Sequence, residues 1–276
     1  MKDINGLEKD YFLEKVNYVK NNFNNYKIKD NNLYKFSQSK DDQEFLSYVN
    51  GRGGGYVKFL ATLVKEFNFE KIVELGNREG LSTLAIFDAL PINSEFITID
   101  LIKDQRYCPE EMFKDRRVKF LFGDVCDLSI FGETLAMDID FLFSDTIHHD
   151  FQLRDEWEIY QYLLADKALV AIDDININDK RRLFDEIDYL KWDLTDICHD
   201  SGWGLFLFER KNKLTKEERV LNVYKSAMKI WKRKFDEADL IVERYKNRKI
   251  KNIIKRFLLK HSFIHKASLI LRGKYK

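Results

Sequence analysis

Proline is nearly missing from this chain. Pro91 and Pro109 are the only two in 276 residues, which excludes a long proline-rich linker. Cysteine is also scarce: Cys108, Cys126 and Cys198 are odd in number and far apart. That excludes a disulfide framework or a cysteine-rich zinc site and favours a reducing compartment. The opening residues, MKDINGLEKDYFLEK, are charged throughout and lack an apolar signal core. No run approaches the about 18 apolar residues of a membrane-spanning helix. A soluble, cytoplasmic protein is expected. What is present suffices for a sizeable core, at 45% hydrophobic and 14% aromatic residues, and the length suits one α/β domain with extensions.

Charge is unevenly spread. Lys211 to Lys276 holds 21 Lys/Arg against 6 Asp/Glu, a balance of +15, so the body before it carries −14 beneath an overall +1. An acidic body with a basic tail implies two jobs separated along the chain.

Residues 1–50 are polar and aromatic, with asparagine-rich patches and helical-looking stretches, and are read as a helical N-terminal preface. Gly51-Arg52-Gly53-Gly54-Gly55 is either a hinge before a helix over Tyr56 to Phe67 or a loop that lets backbone approach a ligand. A domain over 51–212 follows, and 213–276 form a helical tail. The domain is organised around Lys71 to Leu90, KIVELGNREGLSTLAIFDAL. A short buried strand ends at Glu74-Leu75-Gly76, a turn runs through Gly80, and Ser82-Thr83 open a helix that stops before Pro91. In such a unit, backbone N–H groups and a helix N-terminus can face a polar ligand.

Further strands are expected at 95–100, 117–122, 139–144 and 168–172, with a helix over Phe151 to Leu164 and two closing strands at 191–198 and 204–208. The alternation predicts an α/β fold: a Rossmann-like, seven-stranded, mainly parallel sheet covered by helices on both faces. Glu74-Leu75-Gly76, Asp100, Asp124, Asp145 and Asp173-Asp174 all end predicted strands. One such acid is usually a turn residue. Five along one edge mark the crevice where open α/β sheets bind ligands.

Glu74 to Thr83 resembles the E-x-G-x-x-x-G-x-S-T motif of class I S-adenosylmethionine-dependent methyltransferases, in the form found in catechol-type and bacterial small-molecule O-methyltransferases. The likeness covers roughly Tyr56 to Arg210. It implies that Gly76 and Gly80 let backbone pass close to S-adenosylmethionine, with Ser82 at the opening of the following helix. Glu74 would anchor the methionine end, Asp100 the ribose and Asp124 the adenine amino group. A dinucleotide site wants G-x-G-x-x-G, which this turn does not supply.

By the same resemblance, Asp145, Asp173 and Asp174 would hold a divalent cation, first of all Mg²⁺, for which oxygen ligands without thiols are suited. The cation would lower the pKa of an acceptor hydroxyl. His148, three residues after Asp145, would be the catalytic base. The chain departs from these relatives at Ala165-Asp166-Lys167, where a Gly-Gly turn is usual, and at Thr146, where glycine is usual. Trp203, His199 and the aromatic preface either line the acceptor pocket or pack.

Leu221, Tyr224, Met228, Trp231, Phe235, Ala238, Val242 and Tyr245 recur at alternating spacings of three and four. They predict a long helix that lies on its own domain or forms a homodimer. Residues 246–276 mix basic and apolar side chains, as a segment lying on an anionic membrane surface would. Nucleic acid is a poor partner, because the acidic body repels phosphate and no Asn/Asp-Pro-Pro-Tyr/Phe motif occurs. The expected activity is Mg²⁺-assisted O-methylation of a sugar or another small polar molecule. A hydroxylase-like relative of the same fold and a non-catalytic scaffold are the alternatives.

Overall fold

The computed structural model describes residues 4–26, 55–105, 107–132 and 135–244. Seven strands form one sheet: β1 (Lys71–Leu75), β2 (Glu95–Asp100), β3 (Val118–Phe122), β4 (Ile139–Ser144), β5 (Leu164–Asp173), β6 (Leu190–Asp193) and β7 (Trp203–Glu209). Their order is β3-β2-β1-β4-β5-β7-β6. The first five are parallel, and β7 enters antiparallel between β5 and β6. The Rossmann-like sheet expected from the sequence is therefore the one formed.

Side chains along each strand alternate between two apolar layers, as the two-residue repeat of a pleated strand requires. Ile72, Phe96, Phe141 and Leu205 face one core with α1 (Ile4–Asn22), α2 (Gly55–Phe67) and α3 (Leu81–Asp88). Val73, Ile97, Leu142 and Phe206 face the other, with α5 (Asp150–Tyr160), α6 (Arg181–Glu186) and α8 (Lys216–Arg244). Two shorter helices, α4 (Glu110–Lys114) and α7 (Thr195–Cys198), lie in connections. Trp203 is fully buried in the first core, 5.4 Å from the Phe59 ring and 6.1 Å from Phe143. It packs rather than lining a pocket. Burying one such side chain contributes about 1.5–3 kcal/mol.

Three expected elements differ. The strand expected over 191–198 stops at Asp193, whose Oδ1 accepts from both the backbone N–H and the hydroxyl of Thr195. The chain then turns helical, with the N–H of Cys198 donating to Leu194 O. The helix expected to reach Leu164 ends at Tyr160, and Leu164 already pairs with Ile139, so Ala165-Asp166-Lys167 lie inside β5.

The third difference concerns α8, which packs on α5 with a different stripe from the expected one. Val223, Ala227 and Ile230 are at most 1% exposed, whereas Leu221, Tyr224, Met228 and Phe235 are 41–57% exposed. Charge fixes this choice: both Asp155 carboxylate oxygens, fully buried on α5, accept from Arg233 at 2.5 and 2.6 Å. Arg219 also donates to Leu164 O at 2.9 Å.

Preface residues 27–50, Gly51 to Gly54, Tyr245 and the basic segment 246–276 lie outside the described residues. No described helix is long and apolar enough to cross a membrane.

The docking of α8 is directly testable. Arg233→Ala leaves the buried Asp155 carboxylate without its partner and is expected to cost about 1–3 kcal/mol in urea unfolding. The exposed neighbour substitution Lys232→Ala should stay within about 0.5 kcal/mol. Equal effects of the two would show that the pair does not hold the helix.

Candidate active site

Strand order reverses between β1 and β4, and a parallel sheet opens a crevice at such a point, outside the C-terminal strand ends. The two ends are tied together, with the Asp145 N–H donating to Leu75 O at 2.8 Å. A cavity of about 820 Å³ lies above them. Gly76, Ser82, Asp100, Asp124, Asp145, His148, Asp173 and Asp174 all line it. Glu74 and Gly80 do not; they lie behind its wall.

Gly76 has φ +83°, and a Cβ there would stand 2.0 Å from the Asp145 carbonyl oxygen. Only glycine fits both the turn and the close approach of the two strand ends. Asp100 shapes the same turn from β2: Oδ2 accepts the N–H groups of Asn77 and Arg78 at 2.8 and 2.7 Å, and Oδ1 that of Ile102 at 2.7 Å. Beneath the turn, Glu74 is fully buried. Its Oε2 accepts from Thr83 and Thr98, both at 2.6 Å, while Oε1 has no partner in hydrogen-bond geometry. Burial pushes its pKa up to about 7 against the pull of the Ser82, Thr83 and Thr98 hydroxyls.

On the other side of the crevice, the three candidate metal carboxylates are not gathered in one cluster. Asp174 is shared by two groups of closely spaced ligand atoms, one with Asp145 and His148 and one with Asp173 and His199. His148 Nε2 lies 3.1 Å from Asp174 Oδ2 and 3.7 Å from Asp145 Oδ1. Asp145, followed by Asp174, holds this imidazole above its ordinary pKa against partial burial. His199 Nε2 lies 2.7 Å from Asp173 Oδ1, and its Nδ1 lies 2.8 Å from Ser201 Oγ. Burial works against a charge on His199, but Asp173 outweighs it. Asp173 in turn is raised by burial and by Asp145. Asp174 is held at φ +55°, an uncommon backbone conformation that persists where surrounding structure enforces it.

Residues 73–175 match the family model described as a methyltransferase domain. This stretch resembles a methyltransferase domain. Among solved structures, the O-methyltransferase TomG from Streptomyces achromogenes, involved in tomaymycin synthesis and solved in complex with SAM, shares its fold. It is 20% identical over 70% of this chain and 96% of that one, with a TM-score of 0.51. A methyltransferase from Geobacter sulfurreducens is 19% identical, covering 60% of this chain and 86% of that one (TM-score 0.47). SAH-bound PaMTH1 from Podospora anserina is 15% identical, covering 76% and 98% (TM-score 0.48). No curated protein sequence matches the chain.

At its methionine end, S-adenosylmethionine would meet the residues of the β1 turn. Glu74 Oε1, without a hydrogen-bond partner just behind the cavity wall, would suit an ammonium group brought to the turn. For a cation, carboxylate oxygens beside two imidazoles suit a divalent ion, with the imidazoles extending the choice beyond Mg²⁺ to transition metals.

Several contributors were not legible as site residues. Fully buried Glu156 accepts from Ser144, Thr146 and Gln152 at 2.7, 2.5 and 2.9 Å and so braces the loop that carries Asp145 and His148. Thr146, where relatives have glycine, supplies one of those bonds. Buried Lys180 donates to Asp173 O at 2.5 Å. His199, Ser201 and Tyr56 complete the wall. In sequence, His199 is legible only as a residue that lines a pocket or packs, and Ser201 lies in the same polar connection between α7 and β7.

The raised Glu74 pKa gives a signed prediction. Below about pH 7 the free domain carries Glu74 protonated, and holding an ammonium group requires its ionisation. Affinity for S-adenosylmethionine between pH 5 and 7 is therefore expected to weaken by up to about tenfold per unit of falling pH. Glu74→Gln should bind more weakly at pH 7 and show a flat profile in calorimetry. An unchanged slope in that variant would remove Glu74 from the binding step.

Proposed function

We propose that this chain transfers a methyl group from S-adenosylmethionine to a hydroxyl oxygen of a sugar or another small polar molecule, assisted by a divalent cation, with Mg²⁺ the first candidate. The observation that carries the reading is the single cavity. It joins Gly76, Ser82, Asp100 and Asp124 on one side to Asp145, His148 and Asp174 on the other.

S-adenosylmethionine supplies an electrophilic methyl on a sulfonium, and a divalent cation supplies Lewis-acid polarisation of an oxygen. The protein's own contribution is placement and proton handling. Glu74 and Asp100 orient the donor. Asp145 and Asp174 supply negative charge where a cation is wanted, and Glu156 and Lys180 hold the backbone on which they stand. His148 Nε2 faces these carboxylates and takes the acceptor's hydroxyl proton as the oxygen–methyl bond forms and the sulfur–methyl bond breaks. The products are a methyl ether and S-adenosylhomocysteine, with the proton left on the imidazole. Ile147 and Phe151, both more than half exposed at the rim, give the acceptor's carbon skeleton an apolar wall.

His148→Ala is expected to lower turnover by about 10²–10⁴-fold, the usual worth of a positioned base, with cofactor affinity unchanged. Chelation should abolish methyl transfer, and added Mg²⁺ or Mn²⁺ should restore it. The measurement is S-adenosylhomocysteine release across a panel of sugars and small alcohols. Full activity in excess chelator removes the cation, and transfer to nitrogen acceptors alone overturns the oxygen reading.

A further inference from the structure

The tail helix reaches into the cofactor half of the cavity. Lys234 of α8 lines it together with Asp100, Leu101, Ile102, Asp124 and Val125, although it lies well beyond the family match at 73–175. Its ammonium Nζ donates to Asp124 Oδ2 at 3.3 Å. The other carboxylate oxygen, Oδ1, is committed to the Cys126 N–H at 2.9 Å.

This placement is built by the surrounding contacts. The Trp231 indole N–H donates to Cys126 O at 3.3 Å, tying α8 to the loop that carries Asp124. The Lys234 ammonium lies 5.5 Å from the centre of the same Trp231 ring. Arg233 and Lys229 anchor the flanking turns to Asp155 and Glu158 of α5. The side chains of Lys234 and Asp124 are 27% and 29% exposed, so the pair is partly desolvated and open to a ligand on one side.

The pair therefore presents an acceptor and a donor side by side. Adenine offers the complement: an amino donor flanked by a ring-nitrogen acceptor, N1 on one side and N7 on the other. Asp124 Oδ2 retains a lone pair for the amino N–H, and Lys234 retains two N–H groups beyond the one it gives Asp124.

We infer that Lys234 completes the adenine subsite, donating to the ring nitrogen beside the amino group that Asp124 accepts, so that the tail helix is part of the cofactor site. This rests on the S-adenosylmethionine reading above. A site built to hydrogen-bond a group rejects the analogue that lacks it, because its own donor is left unpaired.

The test compares calorimetric binding of S-adenosylhomocysteine with its 1-deaza and 7-deaza analogues, in full-length wild type and in Lys234→Met. Wild type should bind one of the two deaza analogues about tenfold more weakly than the parent, the worth of a charge-assisted hydrogen bond. Lys234→Met should lose about tenfold for the parent and no longer distinguish that analogue from it. Lys232→Met, which removes an exposed charge on the same helix, should behave as wild type. Lys234→Gln keeps a neutral donor and should retain part of the discrimination, which guards against misfolding of the methionine variant. Wild type that binds all three ligands equally overturns the inference. So does a Lys234→Met variant that loses equally for all three, or one that binds more tightly. If wild type does not bind S-adenosylhomocysteine, the cofactor reading fails and takes this inference with it; normal binding without discrimination sinks the adenine contact alone.

Discussion

The close approach of two backbones, at Gly76 and Asp145, sets the geometry of everything around it. The ends of β1 and β4 lie side by side with a Cβ position only 2.0 Å from a carbonyl oxygen, which no other residue could occupy without moving one strand. That contact falls where the strand order reverses, so the loops after β1 and β2 swing to one side and those after β4 and β5 to the other. The halves proposed for cofactor and for reaction then share one cavity as a consequence of topology.

The cost of this arrangement is a concentration of negative charge at the sheet edge. Glu74, Glu156, Asp173 and Asp174 are all buried. Buried carboxylates persist only when hydrogen-bonded, paired or neutralised. Each is answered differently here. Glu156 collects three donors, Asp173 has His199, with Lys180 on its carbonyl, and Asp174 has His148. Glu74 alone keeps an oxygen without a partner, at the place where a cationic ligand group is expected.

Most of the sheet was legible because the signals were local. Each of β1 to β5 is a short apolar run closed by an acid or glycine, and the period-two alternation requires only nearest neighbours. Leu164 reads as the end of a helix because periodicity cannot announce a pairing with Ile139, some distance back in sequence. Thr195 to Cys198 looked extended until the Asp193 side chain turned the backbone. The stripe that α8 lays on its own domain differs from the one the spacing marks for a similar reason. Leu221, Tyr224 and Met228 have the better apolar spacing, but Arg233 and Arg219 decide the rotation by pairing with groups far away in sequence. Glu156 and Lys180 carry no local signal, because their partners are assembled by the fold, whereas His199 is legible in sequence only as a residue that lines a pocket or packs. Asp100, Asp145 and Asp174 stand out in sequence because each ends a strand or directly follows one, and Asp124 stands two residues beyond β3.

Every role proposed for the site requires that the β1–β4 crevice take S-adenosylmethionine. Isothermal titration of the folded full-length chain at pH 7.5 measures this directly. One saturable site per chain is predicted, severely weakened by Asp100→Ala in a variant whose thermal unfolding shows it to be folded. No binding heat from a folded wild-type chain, or binding unaffected by Asp100→Ala, would contradict it.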